Sequence, residues 1–104
     1  MKTTTRDSVV RRAVDLRRMR QPPTHPGEML MEEFLRPLEL SQAEAATRMQ
    51  MTANRLNEII KGKRGVTADT AWRLSALLGT SPELWMNLQM QWDLWHAASA
   101  RRTA

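Results

Sequence analysis

Residues 41–63 read SQAEAATRMQMTANRLNEIIKGK, and two short helices are written into them. Ser41 stands three residues before Glu44, so its hydroxyl can cap a free helix amide while the carboxylate reaches back. The first of the two helices therefore starts at Ser41, and its pattern ends near Met49. Thr52 is a second N-cap, Leu56, Ile59 and Ile60 follow at helical spacing, and Gly62 is the residue best suited to a left-handed C-terminal cap. Only Gln50 and Met51 separate the two helices. A connection that short predicts a sharp corner instead of a hairpin of long antiparallel arms.

At such a corner the two helices touch through a small residue, here Ala46, and Ala45, Met49, Met51, Leu56 and Ile59 supply the shared core. This is the helix-turn-helix arrangement. With Leu56, Ile59 and Ile60 turned inward, Ala53, Asn54, Arg55, Asn57, Glu58 and Lys61 fall on the outer arc of the second helix, behind Thr52 at its start. Those are side chains suited to base edges: Asn pairs bidentately with adenine, Arg with guanine, and Glu accepts from cytosine. Arg48 beside the turn, with Lys61, Lys63 and Arg64 at and beyond the helix end, suits phosphate contacts that fix register without reading sequence. Arg48, Arg55, Lys61, Lys63 and Arg64 fall in one window opposed only by Glu58. If the turn requires a positive φ at Gln50, that residue costs on the order of 1 kcal/mol relative to Gly.

The rest of the chain predicts an all-α domain over residues 24–98. Before it, Gln21-Pro22-Pro23-Thr24-His25-Pro26-Gly27 is too proline-rich to be helical and marks a boundary. A first helix follows over 26–36, opened by Pro26 and Gly27, with Glu28 near its positive end and Met29, Leu30, Phe34 and Leu38 as packing residues. A fourth helix spans 67–78 with Gly79 as its stop, and a fifth opens at Ser81-Pro82-Glu83. Five helices are expected, no strand, with a basic extension over 1–23 and a C-terminal tail over 99–104.

Composition limits the function. The 104 residues fit one small domain, and the absence of Cys removes disulfides and thiolate metal sites. No apolar run is long enough for a membrane span or a signal peptide, which makes the cytosol the default compartment. The net charge of +5 resides in residues 1–20, where seven basic side chains oppose two acidic ones. Asp7 and Asp15 argue against a transit peptide. Val9, Val10, Ala13 and Val14 lie on one helical face with Arg11, Arg12, Arg17 and Arg18 elsewhere. An amphipathic segment over 6–20 is one reading, as a DNA arm, a partner-binding segment or nothing functional, and start-site choice at Met19 is another. Catalytic chemistry is not indicated: His25 and His96 are isolated, Glu32 and Glu33 point in different directions, and no triad or phosphate-binding loop is present. No cofactor is expected.

The fifth helix is apolar on two sides. Leu84, Leu88, Trp92 and Trp95 form one stripe, with Trp85 at its edge, and suit the core. Met86, Met90 and Leu94 form a second stripe at i, i+4, i+8, which a domain this small has nothing left to cover, so it reads as a homodimer interface.

Beyond the motif, His25-Pro26-Gly27-Glu28 and residues 81–89, SPELWMNLQ, followed by Trp92-Asp93-Leu94, complete a recognisable order. Residues 41–63 resemble the helix-turn-helix of the Cro/C1-type repressors of phage, with Gln50 where that family usually has Gly. The whole of residues 24–96 is similar to the HigA branch, antitoxins of HigB ribonucleases, with Trp92 in place of a common Tyr. The resemblance implies a lambda repressor-like fold, a dimer that binds an inverted repeat in its own operator, and a HigB-like ribonuclease toxin as partner. It also implies that Gln42, at the start of the second helix, touches phosphate or a flanking base. Glu28, Glu32, Glu33 and Glu39 around the first helix make that element the expected face for a basic toxin. Two other readings stay open, a stand-alone repressor and a protein-binding adaptor without DNA binding. Asn54, Arg55 and the basic patch weigh against the adaptor.

Overall fold

A computed structural model describes residues 21–103. Among them are five helices and no strand: α1 Pro26–Leu30, continued by a π-helical turn over Met31–Leu35, α2 Gln42–Arg48, α3 Ala53–Ile60, α4 Ala68–Leu78 and α5 Pro82–Thr103. The predicted all-α, five-helix repressor-like architecture is the one observed. The amphipathic reading of residues 6–20 and the start at Met19 lie outside the described residues.

Side-chain caps set the helix starts. Ser41 Oγ accepts from the Glu44 N–H at 3.0 Å, Thr52 Oγ1 from the Arg55 N–H at 3.1 Å and Ser81 Oγ from the Leu84 N–H at 3.2 Å. Thr67 does the same for α4, accepting from the Thr70 N–H at 3.3 Å. Half of the expected capping box is different: Glu44 turns forward to Arg48, 2.6 Å away, instead of back to the cap. Gly62 and Gly79, both at φ 76°, follow α3 and α4 as the left-handed stops expected of them. Gln50 adopts φ 56°, so the turn does require the conformation that disfavours a side chain there.

The first helix departs from its expected register. The Arg36 N–H reaches the Met31 carbonyl, five residues back, at 3.0 Å. This wider turn slips the apolar stripe by one position. Leu30 and Leu35 are both 1% exposed, whereas Leu38, expected in the core, is 60% exposed. Phe34 remains partly buried, with its ring 5.5 Å from that of Trp85.

The core is built from Leu30 and Leu35 of the first helix, Ala45, Ala46 and Met49 of the α2 side, Leu56 and Ile59 of α3, Ala71 and Leu74 of α4, and Trp85. Met51 and Ile60 pack against it partly buried. Trp85, expected at the edge of its stripe, is instead fully buried, and its Nε1–H donates to Thr80 Oγ1 at 2.7 Å. Leu84 and Leu88 flank it. Helix α1 lies so close to α3 that a Cβ on Gly27 would stand 1.9 Å from the Ile59 carbonyl oxygen. That approach fixes the angle at which α3 is held, and only Gly permits it.

Helix α5 continues to Thr103, so residues 99–103, set apart as a tail in the sequence reading, are helical. The segment AASARR contains neither Gly nor Pro and is rich in strong helix formers. No helix among the described residues is long and apolar enough to cross a membrane.

Candidate nucleic-acid interface

The corner between α2 and α3 is held from three sides. Met49 is 3% exposed beneath it, and the Met51 N–H donates to the Ala46 carbonyl at 3.0 Å. Arg73 of α4 donates from Nη1 to the Met49 and Gln50 carbonyls at 2.6 and 3.1 Å, while its Nε pairs with Asp69 at 2.8 Å. Sequence reasoning did not assign Arg73. It lies more than twenty residues from the turn, and nothing local to either segment connects the two.

The residues expected to face DNA divide into groups. Thr52, Ala53 and Asn54 at the front of α3, and Lys61 and Lys63 at its end, are exposed. No ion pair among the described residues engages Lys61 or Lys63. Arg64 is exposed and pairs with Glu58 at 2.9 Å, so part of the charge expected for phosphate and the acceptor expected for cytosine face each other. Arg48 is exposed and paired with Glu44.

Two side chains are held otherwise than outward display requires. Arg55 is half-buried: its Nη2 donates to Thr70 Oγ1 on α4 at 3.2 Å, and its Nε is buried without a hydrogen-bond partner. It braces α3 against α4 through the buried Thr70. Asn57 donates from Nδ2 to Gln42 Oε1 at 3.0 Å, linking the start of α2 to the middle of α3. Both Asn57 and Gln42 are half-buried, and they form one amide unit at the junction of the helices.

Glu28, Glu32 and Glu33 rim an open groove of about 430 Å3 whose other walls are Thr24, Met29, Phe34 and Leu84, and Glu28 and Glu32 also line a neighbouring groove with Gln42, Asn57 and Lys61. Glu32 also pairs with Arg36 at 3.1 Å. The second stripe of α5 is exposed as expected, with Met86, Met90 and Leu94 at 37%, 52% and 48%. Trp72 on α4, not singled out in the sequence reading, is 65% exposed.

This arrangement has close relatives. A helix-turn-helix family model matches residues 31–85. Antitoxin HigA-1 of Vibrio cholerae is 40% identical over 81 residues, covering 77% of this chain and 75% of its own length. Virulence-associated protein I of Dichelobacter nodosus is 44% identical over 73 residues, covering 70% of this chain and 68% of its own. Among solved structures, the Pseudomonas aeruginosa antitoxin HigA with the higBA promoter superposes with a TM-score of 0.75 at 40% identity, covering 78% of this chain and 88% of that one. With the corner, its caps and the exposed front of α3 in place, the chain belongs to the helix-turn-helix family as a HigA-type antitoxin, a DNA-binding regulator and not an enzyme.

Proposed function

We propose that the chain is an autorepressing antitoxin: a dimer that binds an inverted repeat in its own operator through α3, and neutralises a HigB-like ribonuclease through α1. The observation that carries the DNA half is Asn54. It is exposed at the front of the recognition helix, it has no part in the core, and exposed Lys61 and Lys63 stand at the other end of the same helix. Asn54, with Thr52 and Ala53 beside it, meets base edges, and the Gln42–Asn57 pair approaches the flanking backbone or base. Lys61, Lys63, Arg64 and Arg48 follow the phosphates, the last two after exchanging their carboxylate partners Glu58 and Glu44 for the backbone. Arg55 acts from behind, holding α3 at its angle to α4, and Glu58 reaches a base only when Arg64 leaves it.

A single recognition helix reads too few base pairs for useful specificity, and this supports the dimer, with Met86, Met90 and Leu94 as its interface. For the toxin, the acidic rim and the apolar floor of Met29, Phe34 and Leu84 suit a basic protein surface, since a ribonuclease must present positive charge to RNA. The Vibrio relative's name supports the same reading. Co-expression with the ribonuclease encoded beside this chain tests it. Rescue of growth and a complex on a sizing column are expected. No rescue and no complex would leave the stand-alone repressor as the better account.

A further inference from the structure

His25 is the residue on which three elements converge. It is 5% exposed, and its Nδ1 accepts from the Gly27 N–H at 2.9 Å as the N-cap of α1. Its ring meets that of Trp92 on α5 edge-on, 4.8 Å between centroids, and Trp92 in turn packs on His96 at 4.3 Å. Its Cγ and Cδ2 face Gly62, the stop of the recognition helix, and its cap partner Gly27 is the residue pressed against Ile59. The cap works only while Nδ1 carries a lone pair. A proton there would set two N–H donors against each other at the point where α1 meets the end of α3.

We propose that His25 is a proton-operated latch: its neutral ring holds the α1–α3–α5 junction closed, and protonation in mild acid opens the junction and weakens operator binding. The effect on DNA rests on the operator-binding reading above, and the effect on the junction does not. Burial lowers the affinity of the imidazole for a proton. Asp93 on α5 and Glu28 on α1 pull the other way, and His96 on α5 adds to the lowering. From α3 the neighbour is Gly62, which carries no charge. The unfolded chain therefore takes up the proton first as the pH falls. The stabilisation from the neutral ring is complete above the ordinary imidazole value of 6.5 and is lost as the pH drops through the lowered folded value.

A nitrogen-resolved NMR titration of the wild-type chain tests the junction directly. At about pH 8, His25 Nδ1 is expected to be unprotonated, and on acidification the Gly27 amide and Trp92 indole signals should move with the titration of His25. A Gly27 amide indifferent to that titration would overturn the latch. For DNA, operator affinity should fall as the pH is lowered from about 8 through the titration of His25, by about five-fold once the ring is protonated, the scale of a lost N-cap. His25→Asn keeps a cap acceptor that does not titrate, and should lose less than about two-fold. Parallel losses in wild type and His25→Asn would overturn the operator half of the proposal. A wild-type chain that fails to bind its operator at about pH 8 would remove that half together with the reading it rests on, and the NMR titration still decides the junction.

Discussion

Asn54 and Lys63 carry opposite kinds of information in the proposed complex. Replacing Asn54 with Ala should weaken operator binding by roughly 1 to 3 kcal/mol and relax preference at one position per half-site, because a base-edge hydrogen bond is lost. Replacing Lys63 with Ala should weaken all sequences alike and flatten the salt dependence, because a released counterion carries no sequence. Titrations on operator and on random DNA at two salt concentrations separate them. Two further side chains report on the scaffold. Gln50→Gly should raise stability in denaturant by about 1 kcal/mol, since Gly adopts φ 56° without strain. Gly27→Ala should lower it by at least about 2 kcal/mol, because the new methyl group meets the Ile59 carbonyl and α1 must move off α3. The strain at Gln50 was legible only through the resemblance to the phage repressors, which usually place Gly at that point of the turn. The part Gly27 plays was not, since the contact joins residues more than thirty positions apart, and a separation of 15 positions concealed the turn of Arg55 toward Thr70.

Local signals located the helices well and their faces less evenly. Ser41, Thr52 and Ser81 marked three starts because a side-chain cap acts within three residues, and Gly62 and Gly79 marked two stops for the same reason. The first helix misled at Leu38 because a π turn shifts register by one residue, which a 3.6-residue template does not contain. In α5 the two stripes were legible, but Trp85 moved from edge to centre because Phe34 and Thr80, on other segments, complete its pocket. The second stripe offers a prediction at this scale. If Met86, Met90 and Leu94 meet a symmetry mate, Met90→Glu places a charge in that interface and should yield a folded monomer. Sedimentation that still shows a dimer, with unchanged helicity, would exclude the interface.

Across the whole molecule, the two proposed partners are assigned to different elements: exposed lysines and Asn54 at α3, carboxylates over an apolar floor at α1. Charge reversal of Glu33, which lines the proposed toxin groove and not the one shared with Lys61, should lower toxin affinity mainly through the association rate and leave operator binding nearly intact. Stopped-flow mixing with the toxin and a parallel operator titration check both halves. The division was partly legible in the sequence, where the acidic and basic residues segregate into different helices. The groove beneath the carboxylates was not, because Leu84 joins it from α5. The central claim, that α3 reads sequence in the operator as part of a dimer, is tested most directly by titrating wild type and Asn54→Ala against the inverted repeat upstream of the gene and against random DNA. Two protomers of wild type per repeat, with a loss for Asn54→Ala confined to the repeat, is the predicted result. Equal losses on both DNAs, or one protomer per repeat, would contradict it.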